Sequence, residues 1–177
     1  MKKNDFSTIV DFGSSSLRLS VFNENFFNLY SSSKTIEQKD NYADKPPAII
    51  LDIDETVLDN SAFQARTILT GLSYPNGWID WGNEGEAPAV AGVKDFLLQA
   101  QSKGVKIFYV TNRVAELEEA TRKNMLELGL PLDTDRDVLM MKGESGWGSD
   151  KTKRRSLIAN DYRIIMIVFQ DLQFFKI

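Results

Sequence analysis

The rhythm of apolar and polar positions changes near residue 40. Before it, apolar residues come in short runs. Ser7 to Asp11 and Leu17 to Phe22 read as two strands turning through Gly13-Ser14-Ser15-Ser16, a β-hairpin, with Phe26 to Tyr30 as a candidate third strand. Residues 31–47 are polar, open with three serines and close on Pro46-Pro47, which reads as a linker. After it, strands and helices alternate. Ala48 to Ile53 is a short, nearly all-apolar strand. Ser61 to Thr70 reads as a helix capped by Asp59 or Asn60. Tyr74 to Gly85 is a turn-rich aromatic insertion around Pro75-Asn76-Gly77. Val90 to Lys103 is a helix closed by Gly104, and Val105 to Val110 the next strand. Ala115 to Leu128 is a helix stopped by Gly129 and Pro131. Val138 to Met141 is a strand, Lys151 to Asn160 a helix, and Arg163 to Phe169 a last apolar strand.

Continuous apolar strands separated by amphipathic helices predict an α/β fold, a Rossmann-like parallel sheet with helices on both faces. Right-handed crossovers align the carboxyl ends of the strands along one edge, and such sheets bind ligands there. The predicted division is residues 1–43, a hairpin segment with its linker, and residues 44–177, the α/β domain.

Composition narrows the chemistry. The net charge of −4 offers no basic surface for nucleic acid or an anionic membrane. No apolar run is long enough to span a bilayer. Asp5 and Asp11 interrupt the stretch after Met1-Lys2-Lys3, so no secretory leader is expected and the chain as written is expected to be cytoplasmic. There is no cysteine and no histidine, which excludes thiolate nucleophiles, phosphohistidine chemistry, Ser-His-Asp triads and imidazole-bound metals. Hydrolysis in this chain has to run on carboxylates, hydroxyls, lysines and a hard, oxygen-preferring cation.

Asp52 and Asp54 follow an apolar strand, and extended-chain alternation points both to one side. Close carboxylates do not ionise freely together, so one can act as acid while the other stays an anion. That division suits covalent phosphoryl transfer, although an Asp-x-Asp pair alone is also the make-up of an acidic turn. Phe108-Tyr109-Val110-Thr111-Asn112-Arg113 ends the next strand, so Thr111, with Asn112 after it, should reach the same edge and offer donors to a phosphoryl oxygen. Gly148-Ser149-Asp150-Lys151-Thr152-Lys153-Arg154-Arg155 opens a helix. A lysine there can neutralise phosphate, whereas most of such a run is ordinarily a solvated face.

In this order, LDIDETVLDNS, FYVTNR and DKTKRR resemble the haloacid-dehalogenase superfamily of aspartate-nucleophile phosphatases. Over roughly Asp44 to Val168 the chain is similar to the class C, lipoprotein-type bacterial acid phosphatases and 5′-nucleotidases. The resemblance implies a haloacid-dehalogenase-type fold and a magnesium-dependent enzyme acting on small phosphate monoesters, nucleotides among them. It makes Asp52 the nucleophile and a Mg2+ ligand, Asp54 the general acid/base with its carbonyl on the metal, Thr111 the phosphate-binding hydroxyl, and Lys151 the phosphate-neutralising lysine, Lys153 second. Phe63 and Trp78 become candidates for stacking on a base or aryl group, against the alternative that they pack under a loop. It also implies a periplasmic or secreted protein.

Two stretches depart from the pattern. The family's fourth motif carries a Gly-Asp and a later Asp after the last strand. Here the aligned positions are Phe169, Gln170 and Phe174, leaving Asp171 one position late as a candidate third metal ligand. The domain therefore reads as truncated at its carboxyl end, and a phospho-ligand-binding protein with impaired turnover stands as the alternative. Residues 5–22, with Asp11, Gly13 and Ser14 to Ser16, resemble the first phosphate loop of the actin-like bacterial cell-division ATPases. The chain can thus also be read as a fusion, or as an actin-like ATPase fragment.

Overall fold

The computed structural model describes three strands by their backbone within the first 44 residues, and residues 45–169 in full. Contacts divide the chain into Met1–Asp44 and Lys45–Ile177. In the first unit β1 (Ser7–Phe12), β2 (Ser16–Phe22) and β3 (Asn28–Thr35) form an antiparallel sheet in that order. The third strand runs five residues into the expected linker, pairing Ser31 with Ser20 and Ser33 with Arg18. Antiparallel sheets tolerate polar strands because one face can meet water.

In the second unit four parallel strands take the order β6-β5-β4-β7: β4 is Pro47–Leu51, β5 Lys106–Val114, β6 Leu139–Lys142 and β7 Arg163–Val168. Between them lie α1 (Ser61–Thr70), α2 (Trp78–Glu84), α3 (Val93–Ser102), α4 (Glu118–Glu127) and α5 (Thr152–Asp161). Helix α3 packs on β5 and α5 on β7. The core is Ala48 to Leu51, Ile107 to Val110 and Leu139 to Met141, closed by Leu97, Leu117, Met125 and Ile158, all buried. Each such large side chain contributes roughly 1.5–3 kcal/mol on leaving water.

Three predicted elements differ. The aromatic insertion is not all turn: residues 78–84 form a helix between Gly77 (φ 76°) and Gly85 (φ 65°). Left-handed glycines at both ends let the chain enter and leave so short a helix. The helix predicted from Ala115 begins as a 3-10 turn, Ala115–Leu117, before α4. Finally, β5 does not stop at Val110. It continues to Val114, and its ladder with β6 skips from Val110↔Met140 to Val114↔Lys142. Thr111, Asn112 and Arg113 thus face a single β6 residue, and their backbone is released from the ladder as in a bulge.

Candidate active site

The chain leaves β4 after Leu51. Asp52 extends the ladder by one bond, its N–H donating to Val168 O at 2.9 Å. A tight turn follows, in which the N–H groups of Val57 and Leu58 both donate to Ile53 O. Glu55 takes a left-handed conformation there (φ 59°), costly for a side chain with a Cβ and concentrated in proteins at functional sites. The turn leaves Asp52 and Asp54 half-buried at the strand tip.

Each carboxylate has its own cation. Asp52 Oδ2 lies 2.5 Å from Lys151 Nζ, while its Oδ1 accepts the N–H of Ile53 at 2.8 Å. Asp54 Oδ1 accepts Arg113 Nε at 2.9 Å and Asn60 Nδ2 at 3.0 Å. Arg113 and Asn60 are themselves buried. The Arg113 fork spends its other two nitrogens on Thr121 Oγ1 and Asn60 Oδ1, each at 3.1 Å, and Trp81 Nε1 donates to that same amide oxygen at 2.9 Å. Asn60 is therefore occupied at both ends of its amide and, although it is the N-cap residue of α1, makes no capping bond, while Asp59 Oδ1 accepts the Ser61 N–H.

Thr111 is fully buried, and its Oγ1 accepts the N–H of Arg113 at 3.0 Å. With that lone pair used, the hydroxyl proton is left to donate. Its carbonyl accepts Arg154 NH1 at 2.5 Å, and the same nitrogen donates to Met140 O at 3.2 Å. One guanidinium thus fills the opening in the β5–β6 ladder. Its NH2 continues to Asn112 Oδ1 at 3.0 Å and Gly148 O at 3.1 Å. Burial pulls the Arg154 guanidinium below its usual value, against the opposing pull of Asp52 and Glu144. At the head of α5, Asp150 Oδ1 accepts both the N–H and the hydroxyl of Thr152, and these bonds hold its carboxyl below the ordinary range.

The structure therefore brings Asp52 and Lys151 into contact, and links Thr111 to Asp54 through Arg113 and to the Lys151 helix through Arg154. Lys153 is exposed. Arg154, three residues beyond the expected lysine, is the most buried side chain of the basic run rather than part of a solvated face. Asn112 is exposed, its Oδ1 held by Arg154, which leaves its amide N–H groups to donate. Phe63 and Trp78 meet edge to face at 5.1 Å, Tyr74 joins Trp78 at 5.8 Å, and Arg113 lies 5.5 Å from the Trp78 ring. Phe63 is buried, Trp78 half-buried and Tyr74 exposed, so the cluster is packed at one end and open at the other. A cavity of about 400 Å³ lined by Arg122, Arg136 and Asp137 contains none of these groups.

Among the described residues no three acidic side chains converge in a way that could hold a metal ion. Asp171, Gln170 and Phe174 lie outside the described residues, as do Gly13 to Ser15 of the serine turn.

The pattern of the HAD superfamily, subfamily IIIB (acid phosphatase), matches residues 20–173. The chain belongs to that family. Among solved structures, a class C acid phosphatase from Bacillus anthracis with tungstate bound is 43% identical, with a TM-score of 0.64 over 70% of this chain and 51% of that one. A second structure of the class C acid phosphatase from Bacillus anthracis matches equally well, over 69% and 50%. The chain thus spans about half the length of these relatives. A Pnkp1/Rnl/Hen1 RNA repair complex is similar at 17% identity and a TM-score of 0.50, over 81% of this chain and 44% of that one, which bears on the fold alone. The expected haloacid-dehalogenase-type α/β fold and the class C resemblance both hold for this subfamily IIIB chain. The likeness of residues 5–22 to actin-like ATPases finds no support in these comparisons.

The residues that sequence reasoning missed are Asn60, Arg113 and Arg154. Two carried a signal. Arg113 is a lone cation near the end of a largely apolar strand, and such a charge needs a partner. Arg154 stands four residues before Ile158, on the face of α5 that is buried.

Proposed function

We propose that this chain is a phosphate monoesterase that works through an aspartyl-phosphate on Asp52. The observation that carries the reading is the contact between Asp52 Oδ2 and Lys151 Nζ at the tip of β4, two residues before a second carboxylate held in a fixed rotamer. Tungstate, bound by the Bacillus anthracis relative, is a tetrahedral oxyanion like phosphate and supports the same ligand class here.

A phosphate monoester at this edge meets Lys151, the Thr111 hydroxyl and the Asn112 amide as donors. An Asp52 oxygen attacks phosphorus in line. The bond from phosphorus to the ester oxygen breaks, its electron pair stays on that oxygen, and the Asp54 carboxyl supplies the proton. Asp54, now a carboxylate, takes a proton from water as the water oxygen attacks the aspartyl-phosphate. Inorganic phosphate leaves and Asp52 is restored. The preorganised donors are the largest contribution such a site makes, because they face charge that develops on the transferring group.

The donor set at the strand tip is all oxygen and fits Mg2+, which is commonly held by one or two carboxylates together with waters and substrate phosphate oxygens. The Asp52 carboxylate and the Asp54 carbonyl would hold it, with Asp171 as a further candidate. When bound, the ion neutralises phosphoryl charge and orients the ester. The aromatic group of Phe63, Tyr74 and Trp78 beside Arg113 supports substrates with a planar leaving group, aryl phosphates and nucleotides.

The test is release of inorganic phosphate from an aryl phosphate with and without Mg2+. Activity is expected to require the ion, to be lost on chelation, and to fall roughly 10⁶-fold in Asp52→Asn, the scale of deleting a nucleophile. Undiminished turnover by that variant would sink the covalent route. A second reading, a phospho-ligand binder without turnover, is favoured by Gln170 and Phe174, which stand where the family's fourth motif carries acidic residues. It predicts vanadate binding with no phosphate release.

A further inference from the structure

The structure assigns Arg113 a positioning role: together with Asn60 it pins Asp54 so that Oδ2, and not Oδ1, is the oxygen that hands the proton to the leaving group. The inference rests on the phosphatase reading and goes beyond it by naming the device that aims the proton and the atom that carries it.

Three observations combine. First, both donors converge on one oxygen. Arg113 Nε at 2.9 Å and Asn60 Nδ2 at 3.0 Å share Asp54 Oδ1. A carboxylate oxygen that already accepts two N–H bonds is a poor place for a proton, since the proton would displace one of them. The carboxyl is therefore asymmetric, and Oδ2 is the oxygen that these donors leave free. Second, the donors are themselves fixed. Arg113 is 2% exposed and Asn60 1%. The remaining guanidinium nitrogens are tied to Thr121 Oγ1 and Asn60 Oδ1, and Trp81 Nε1 holds the Asn60 oxygen from a third element. Rotation of the Asp54 carboxyl would disturb a network reaching β5, α2, α4 and the head of α1 together. Third, the guanidinium carbon lies 5.5 Å from the centre of the Trp78 ring. The group that aims the proton donor thus also contacts the aromatic cluster to which the leaving group is assigned.

The consequence is specific to chemistry. In the transfer to Asp52, disturbing Arg113 would leave attack by Asp52 and neutralisation by Lys151 in place and would impair protonation of the departing oxygen; the later hydrolysis, in which Asp54 takes a proton from water, is the same for every ester. Good leaving groups depart as anions and need little protonation, whereas alkoxides need it fully, and general-acid catalysis is worth about 10²–10⁴-fold. A merely structural role would lower all substrates alike.

The experiment compares kcat/KM, which reports the steps up to departure of the leaving group, on 2,4-dinitrophenyl phosphate and on glycerol phosphate for the full chain, Arg113→Met and Arg113→Lys, with circular dichroism to check folding. The expected result is a loss of about 10²-fold or more on glycerol phosphate and no more than a few-fold on the dinitrophenyl ester. Arg113→Lys is expected to show the same pattern, because a point charge cannot hold Asp54, Thr121 and Asn60 at once. Should neither variant fold, Thr121→Val, which frees only the far end of the guanidinium, must show the pattern in smaller measure. Equal losses on the two esters, or no loss on glycerol phosphate, overturn the inference while leaving the phosphatase reading intact. A wild-type chain that hydrolyses neither ester overturns both.

Discussion

Lys151 sits where the head of α5 meets the tip of β4, and its ammonium is shielded enough for its charge to count. Replacing it by Met would leave Asp52 without its cation and phosphate without its counter-charge. The expected cost is about 10²-fold or more in kcat/KM on an aryl phosphate, the scale of removing one preorganised electrostatic donor. Steady-state kinetics on Lys151→Met beside Lys153→Met checks it, since the exposed Lys153 should be nearly silent. Asp52, Asp54 and Lys151 were legible in the sequence because a local pattern announces each: a strand end or a helix start. Arg113 was not placed because Asp54 is 59 residues away, and Asn60 because Trp81 and Arg113, which hold its amide oxygen, are 21 and 53 residues away. Only folding brings such groups together. Glu144 shows a different residue-scale effect. Its Oε2 accepts the Met141 N–H, which lowers its pKa, but burial, helped by the nearby Asp137 and Glu118, outweighs that bond and raises the pKa from the ordinary 4.5. A carboxyl raised in the folded state binds its proton more tightly there than in the unfolded chain. Stability therefore falls as pH rises from 4.5 through the raised value. Glu144→Gln lacks this penalty. Its unfolding midpoint is expected to exceed that of the wild type at pH 7, with the gap closing as pH falls toward 4.5, as thermal melts across that range would show.

At the scale of elements, α2 is the instructive case. Trp-Ile-Asp-Trp-Gly-Asn-Glu is a weak helix former, seven residues long, and no isolated peptide of that length would stay helical. Tertiary packing overrides propensity here. Trp81 is buried and bonded to Asn60, and Gly82 brings the helix backbone against Leu117. A Cβ at position 82 would meet Leu117 Cδ1 at 2.5 Å, and Leu117 is itself fully buried. Gly82→Ala is therefore expected to destabilise the protein by about 1–3 kcal/mol, the usual cost of overpacking. Urea denaturation measures it, and a neutral result would mean that Leu117 moves freely. By contrast, α1, α3, α5 and the four strands of the parallel sheet were readable, because apolar period, caps and stop residues agreed. Beyond Val110 the reading of β5 failed, since Thr-Asn-Arg looks like a helix start, whereas in the fold the Arg154 guanidinium from α5 holds the Thr111 carbonyl and the Asn112 side chain in the extended stretch.

For the whole molecule, alternation of strands and helices foretold a parallel sheet and the edge that carries the site. It did not foretell the strand order, because which strands pair depends on how helices pack and not on any local pattern. The observed order places β4 between β5 and β7, so the strand carrying Asp52 is bonded on both sides. Lys151 and β7 are joined by a single helix of ten residues, α5, and β7 is itself clamped to β4. That helix acts as a ruler about 15 Å long between the ammonium and the strand beside its target. One residue added to or removed from it would swing Lys151 about 100° around the helix axis. The spacing from residue 151 to residue 163 is therefore held by the demands of charge placement at one end and of strand pairing at the other, and natural insertions should collect elsewhere.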